Sequence, residues 1–166
     1  MESSLEFVIS AALIGVGATA LMDGWALVEK RLFGVPARDY AMVGRWLGHL
    51  RHGRLSHDNI AKAAPIAQEG MIGWAAHYVI GIAFASLLLA IFGLDWARNP
   101  SLLPALIVGL ATVAAPFFIL QPALGAGIAA SRMPRPNIAR LRSIEAHLSF
   151  GIGLYFAAKG LSLLSV

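Results

Sequence analysis

The sequence lacks cysteine and has few charges for its length. Its 166 residues include no cysteine, and 13% are charged whereas 58% are hydrophobic. The absence of cysteine excludes disulfides, thiol chemistry and lipidation at a cysteine. A soluble domain has about 25% charged residues. Half that proportion, with a mean hydropathy of +0.71, indicates a protein of the lipid bilayer.

Four apolar segments predict four membrane-spanning helices. They cover about residues 5–28, 71–94, 101–126 and 143–164, and each approaches or exceeds the roughly 20 residues that a span requires. The N-terminus is acidic, unlike the basic start of a signal peptide, so we expect the first segment to stay as a helix. The sequence predicts one all-α domain over residues 1–166, a four-helix transmembrane bundle.

The basic residues are concentrated in two of the three connections. The segments 29–70 and 127–142 hold 11 of the 13 Lys and Arg residues, and the turn that begins at Asp95 holds only Arg98. Basic connections remain on the cytoplasmic side of a membrane. We therefore expect both basic connections to be cytoplasmic and both termini to lie outside. The turn 95–100 is expected to be polar, with Trp96 at the membrane interface.

The connection 29–70 contains a helical pattern of its own. Arg38 or Asp39 follows Pro36 and can open a helix. The apolar residues after them recur at helical spacing; these residues are Tyr40, Val43, Trp46, Leu47 and Leu50. This pattern predicts an amphipathic interfacial helix on the cytoplasmic leaflet, with Arg45 and its basic neighbours drawn to anionic lipid headgroups. The alternative is a cytoplasmic helix packed on the ends of the bundle.

Four polar residues lie at similar depths in the four segments. Asp23, His77 and His147 lie roughly 7–10 Å inside the cytoplasmic ends of their helices, and Gln121 lies near the same end of the third segment. Three of them continue stripes of small or polar residues at a spacing of four, which favour close helix contact. The stripes are Ala11, Gly15, Thr19 and Asp23; Gly73, His77, Gly81 and Ala85; and Ser143, His147, Gly151 and Tyr155.

These stripes predict that the polar residues face the bundle interior. An ionisable residue in hydrocarbon is costly and normally finds a partner there. Asp23 with His77 or His147 is the natural pair. The candidates for binding a ligand or a proton are Asp23, His77, Gln121, His147 and Thr19.

Several roles fit such a polar layer. The residues can form a structural clasp, in which they hydrogen-bond to one another and fix the register of the helices. Alternatively, they can bind a cation or relay protons in a small carrier. Two histidines can ligate haem, and Asp23, His77 and His147 can form a divalent metal site, but the small-residue stripes favour tight packing over a haem. A lipid-modifying enzyme lacks support from any nucleophile motif, since Ser149 points away from His147. We therefore expect no cofactor and favour a role other than catalysis, with haem or metal binding and a lipid-modifying enzyme as the alternatives.

The stretches that start the second and fourth spans resemble each other. Ala76-His77 is followed by Gly81-Ile82, and Ala146-His147 by Gly151-Ile152, at the same spacing. This similarity favours parallel internal repeats, although Gly, Ala and Ile are abundant enough here for chance to compete.

The connections contain three more histidines and two acids near the spans. His49, His52 and His57 are a weak zinc candidate, because cysteine is absent and His57 would have to fold back. An interfacial position is the expected one. Glu69 and Glu145 are each expected to pair with an arginine of a connection.

Three motifs resemble a family of small membrane proteins. They are Gly17-Ala-Thr-Ala-Leu-Met-Asp23-Gly-Trp25, Arg45-Trp-Leu-Gly-His49 and Gly73-Trp-Ala-Ala-His77-Tyr78. They are similar to the family called domain of unknown function 2938, which implies a four-span protein of the bacterial inner membrane and no particular activity.

The composition, the polar layer and this resemblance together predict a small transport or ligand-binding protein. Its expected partners are the bilayer and anionic lipid headgroups, with no nucleic acid. A homodimer is expected, because four helices leave little volume for a substrate pathway.

Overall fold

The computed structural model describes residues 2–164, and within them the regular secondary structure is helical, without a β-strand. The all-α prediction is therefore confirmed. The α-helices are α1 (Glu2–Phe33), α2 (Tyr40–Leu50), α3 (Glu69–Arg98), α4 (Leu102–Ala111), α5 (Gln121–Leu124) and α6 (Pro136–Leu164).

Three helical stretches are long and apolar enough to cross a membrane. They are Ser3–Phe33, Glu69–Arg98 and Leu102–Leu124, and they correspond to the first three predicted spans. Helix α6 has 29 residues and a length of about 44 Å, which exceeds a hydrocarbon core of about 30 Å. Its charged residues lower its hydropathy, and it is not among the three. The fourth span, and with it the four-helix bundle, stays a prediction.

The chain divides into two compact units, each assembled from separate stretches. We call residues 2–37, 78–112 and 146–164 the helical unit, and residues 38–77 and 113–145 the connecting unit. Helix α3 begins in the connecting unit and continues in the helical unit.

Glycines bring the helices of the helical unit into close contact. A side chain at Gly15 would collide with the backbone of α3 at Ile82, and one at Gly153 would collide with the backbone of α1 at Ala18. Small residues permit such approach in membrane proteins. The core beside these crossings is formed by side chains including Ala11, Ile14, Ala18, Leu88 and Leu154.

Two helix crossings of the helical unit have a similar construction. At one, the Thr19 hydroxyl donates to the Gly15 carbonyl at 2.8 Å where α1 meets α3. At the other, the Thr112 hydroxyl donates to the Gly109 carbonyl at 2.6 Å, where α4 meets α6 at Gly151. This correspondence supports the predicted internal repeat.

The chain remains helical where a polar turn was expected after the second span. At Gly93 a φ of 77° interrupts the helical geometry of α3. The helix then continues to Arg98. Trp96 is 6% exposed and belongs to the core, and its indole N–H donates to the Ser101 carbonyl at 3.1 Å. The prediction of a turn is therefore wrong for Asp95–Arg98, which are helical. A position of Trp96 at the membrane interface stays a prediction.

The third span is irregular at its proline. Pro116 has no N–H to donate, and a π-helical turn, Pro116–Leu120, begins there. Its final hydrogen bond joins the Gln121 N–H to the Pro116 carbonyl, five residues back, as expected of a π-bulge. Gly125 ends α5 with a φ of 95°, so the helical stretch is slightly shorter than the predicted 101–126.

The predicted helix of the first connection is confirmed as α2. The Asp39 side chain caps it by accepting from the Ala41 N–H at 3.0 Å, as N-cap residues do. The helix packs on the start of α3, since a side chain at Gly44 would collide with the Glu69 carbonyl and one at Gly73 with the Tyr40 carbonyl. These contacts favour the packed alternative, and a position on the lipid leaflet stays a prediction.

Candidate functional site

Asp23 and Thr19 lie in the part of α1 that belongs to the helical unit. The Tyr78 hydroxyl of α3 donates to an Asp23 carboxylate oxygen at 3.2 Å. Thr19 is fully buried, and its hydroxyl occupies the space that a side chain at Gly81 would need. Thr19 therefore contributes to the helix crossing, whereas Asp23 presents an ionisable group held by a hydroxyl.

His147 also lies in the helical unit, with a hydroxyl beside its ring. Its Nδ1 is 2.8 Å from the Thr112 Oγ1. Because the Thr112 hydroxyl donates to the Gly109 carbonyl, the ring supplies the hydrogen of this contact from Nδ1. The Nε2 of a neutral His147 is then a hydrogen-bond acceptor.

His77 lies at the end of the α3 segment that belongs to the connecting unit. Its ring stacks on Tyr40 of α2, with centroids 4.1 Å apart and an interplanar angle of 24°. The Trp74 ring lies edge-on to it at 5.8 Å. The predicted stripe on α3 is thus divided: Gly73 and His77 contact α2, and Gly81 contacts α1.

Gln121 lies in the connecting unit and contacts α6. Its side-chain N–H donates to the Ser143 hydroxyl at 3.1 Å, and that hydroxyl donates to the Ala139 carbonyl. The Gln121 Oε1 atom is buried and finds no hydrogen-bond partner among the described residues.

The predicted site residues therefore fall in both units. Asp23, Thr19 and His147 belong to the helical unit, and His77 and Gln121 to the connecting unit. The shared polar layer stays a prediction. Within residues 2–164 no three His, Cys, Asp or Glu side chains converge on a position where a metal ion could bind, so the haem and metal hypotheses gain no support from the structure.

Arg45 and Glu69 form an ion pair in the connecting unit. The sequence predicted an arginine partner for Glu69 but assigned Arg45 to lipid headgroups. Arg45 is 8% exposed and donates twice to Glu69, from Nη2 to Oε1 at 2.7 Å and from Nε to Oε2 at 2.9 Å. Its Nη1 donates to the carbonyls of Ile60, Ala61 and Ala63.

This pair explains how the first connection is held. The hydrogen bond to Glu69 raises the pKa of Arg45 above its ordinary value, against the opposing effect of burial. The predicted pairing of Glu69 with an arginine is confirmed. The prediction that Arg45 is drawn to headgroups is not supported, because its guanidinium is engaged by the protein. Gly44 and Gly48 on the same helix were the available signal that this face is packed.

Two of the three connection histidines do come together. His57 folds back so that its Nε2 lies 2.8 Å from the His49 Nδ1, and the His49 Nε2 lies 2.9 Å from the Ala64 carbonyl. His52 instead accepts from Arg51. The carbonyl requires an N–H on the His49 Nε2, so with neutral rings His49 accepts at Nδ1, His57 donates from Nε2, and the His57 Nδ1 has a free lone pair.

The backbone of the connecting unit holds His57 in place. The His57 N–H donates to the Ala123 carbonyl at 2.9 Å, and Gly125 approaches the Asp58 carbonyl so closely that a side chain would not fit. Burial lowers the pKa of His57 below its usual value, and the charge of Arg54 lowers it further. The ring of His57 is therefore buried, its neutral form is favoured, and Arg54 is a basic neighbour of the kind that the sequence predicted. Its position at the membrane interface stays a prediction.

His57 lines an open cleft of about 780 Å³ in the connecting unit. Sequence reasoning missed this cleft, because three separated stretches form it and no local pattern marks their meeting. The lining residues are Trp46, Arg54–Asp58, Phe118, Ile119, Pro122, Ala123, Gly127, Ile128, Ser131 and Arg132. We call it the arginine cleft.

Comparison with known proteins gives a family and no activity. No curated protein and no solved structure matches the chain. The family profile described as Protein of unknown function (DUF2938) matches residues 12–160. Because this match covers most of the 166 residues, the chain belongs to that family.

Proposed function

We propose that the chain is a four-span protein of the bacterial inner membrane that binds and relays protons or small cations through polar side chains in its helices. Both termini would lie outside, and both basic connections in the cytoplasm. Asp23, His77, Gln121 and His147 would supply the polar groups near the cytoplasmic face.

The observation that carries this proposal is the hydrogen bond between Tyr78 and Asp23 within two apolar helices. A carboxylate in hydrocarbon is costly and suggests function by default. Neutralisation by a bound proton or cation relieves that cost, and the phenol hydroxyl can hold the carboxyl group in either protonation state. His147, beside the Thr112 hydroxyl, is a second group that can accept a proton in the same unit.

Proton flux in proteoliposomes tests the activity. The purified chain is reconstituted with a pH-sensitive dye inside the vesicles, and dye response is recorded after a potassium diffusion potential is imposed. We expect Asp23→Asn and His77→Ala to lower the flux at least about tenfold, since each removes a proton-binding group. Asp95→Asn is the matched control, because that carboxylate side chain is 93% exposed. Unchanged flux in both test variants would contradict the proposal.

Thiol accessibility tests the topology. The chain has no cysteine of its own, so each introduced cysteine is a unique reporter for an impermeant thiol reagent. Asn99→Cys and Ser162→Cys should react in cells whose inner membrane is intact. Met133→Cys should react only after that membrane is permeabilised. Protection of Ser162→Cys in intact cells would show that α6 does not cross.

A further inference from the structure

The arginine cleft carries positive charge that the protein does not neutralise in full. Arg54 and Arg132 line it, and neither guanidinium forms a hydrogen bond or an ion pair with another described residue. Asp58 is the one acidic residue of the lining, and Ser56 and Ser131 add hydroxyl groups. Two guanidinium groups against one carboxylate favour an anion, and guanidinium groups match the oxygens of a phosphate.

The cleft is also lined by exposed apolar side chains. Phe118 and Ile119 are 63% and 62% exposed, and Ile128 is 59% exposed. Phe118 and Ile119 lie in the stretch Leu102–Leu124, which is long and apolar enough to cross a membrane. The cleft thus joins apolar residues of a candidate span to arginines of the connections, which is the arrangement expected at the depth of lipid headgroups.

One of the lining residues, His57, has a buried ring with an unpaired nitrogen. His57 is 5% exposed, and its Nδ1 has no hydrogen-bond partner among the residues that the structure describes. The bonds from His57 to His49 and from His49 to the Ala64 carbonyl leave this nitrogen as a lone-pair acceptor. Buried polar atoms are normally paired. A small rotation of the ring that exposes this nitrogen to the cleft would let the hydroxyl of a ligand pair with it.

We propose that the arginine cleft binds the headgroup of an anionic phospholipid. Arg54 and Arg132 bind the phosphate oxygens, a headgroup hydroxyl donates to His57, and an acyl chain follows Phe118, Ile119 and Ile128. The cavity volume of about 780 Å³ lies within the range of small-molecule sites. The proposal does not rest on the proposed function, because the cleft lining does not include Asp23, His77, Gln121 or His147.

Calorimetric titration of the full chain in neutral detergent tests the site. The probes are dioctanoyl phosphatidylglycerol, dioctanoyl phosphatidylcholine and inorganic phosphate. We expect the phosphatidylglycerol to bind at least about tenfold more tightly than either of the others, because only it combines an anionic phosphate, hydroxyls and acyl chains. Equal affinity for phosphatidylcholine, or for inorganic phosphate, would overturn the assignment to an anionic lipid.

Paired charge removals separate the cleft from the general basic surface. We expect Arg54→Gln with Arg132→Gln to weaken phosphatidylglycerol binding at least about tenfold. Arg51→Gln with Arg135→Gln removes the same charge from exposed positions outside the cleft, and we expect less than about a twofold change. Equal losses in the two variants, or no loss in the first, would overturn the proposal. All four side chains are exposed, and thermal unfolding confirms that both variants are folded.

Discussion

The helical unit and the connecting unit are stabilised in different ways. In the helical unit, the backbone is bonded within its helices, and glycines let one backbone approach another, as Gly15 does at Ile82. The connecting unit has such approaches at Gly44 and Gly73, but its backbone between α2 and α3 is largely irregular, and there a side chain binds carbonyls that a helix would have satisfied. Arg45 donates to three of them. Buried backbone groups need partners in either case, so added bulk should destabilise the close helix crossings most, and loss of a donor the irregular connection.

The largest expected effect is the loss of Arg45 from the connecting unit. Arg45→Ala leaves Glu69 without its arginine and three carbonyls without this donor, which should lower the free energy of unfolding more than any of the substitutions described below. Thermal or denaturant unfolding in detergent measures it. Arg51→Ala is the control, since that side chain is exposed. Equal stability of the two variants would show that the ion pair between Arg45 and Glu69 does not stabilise the connecting unit.

Added bulk at a helix crossing should give the next largest effect. Gly15→Leu forces a side chain into the backbone of α3 at Ile82 and should lower the free energy of unfolding by about 1–3 kcal/mol. Gly24→Leu in the same helix is the control, because no atom lies within 4 Å of a Cβ added there. If the two variants had the same free energy of unfolding, close approach of the backbones would not explain the stability of the helical unit.

A smaller effect is expected from the two buried hydroxyls. Thr19→Val removes one buried hydrogen bond and should lower the free energy of unfolding by about 1 kcal/mol. Thr112→Val should lower it by roughly twice as much, because the His147 Nδ1 also loses its partner. Unfolding in detergent compares the two valine variants, and a greater loss for Thr19→Val would contradict the role given to Thr112.

The smallest expected effect is a pH dependence in the connecting unit. Burial lowers the pKa of His57 in the folded protein, where Arg54, His49 and Asp58 also act on it. The unfolded chain then binds a proton near its ordinary pKa of about 6.5 while the folded chain does not. Stability should therefore fall as the pH decreases below about 6.5.

The variant His57→Gln isolates this contribution from other titrating groups. Its melting temperature should fall less than that of the unmodified chain between neutral and mildly acidic pH, because the substituted side chain does not titrate. A parallel decline in the two proteins would show that His57 contributes nothing to the pH dependence.

The sequence predicted the regular parts of both units for physical reasons. A long run of apolar residues predicts a membrane helix, and Asp39 after Pro36 predicts the start of α2. Both features could be predicted because each signal lies within one continuous stretch of the chain. The spacing of Ala11, Gly15 and Thr19 predicted the packed face of α1 for the same reason.

What the sequence did not predict depends on contacts between distant stretches. His57 folds back because it meets His49 and the carbonyl of Ala123, and nothing near His57 in the chain encodes that meeting. Arg45 was assigned to the lipid because its partner, Glu69, lies 24 residues away. Trp96 was expected in a polar turn because the core that buries it is assembled from several stretches of the chain.

Infrared difference spectroscopy of the lipid-reconstituted protein tests the central proposal most directly, since it observes a proton on Asp23 itself. Acidification should produce a protonated-carboxyl band that is absent in Asp23→Asn and retained in Asp95→Asn. An identical set of carboxyl bands in Asp23→Asn and in the unmodified protein would contradict proton binding at Asp23.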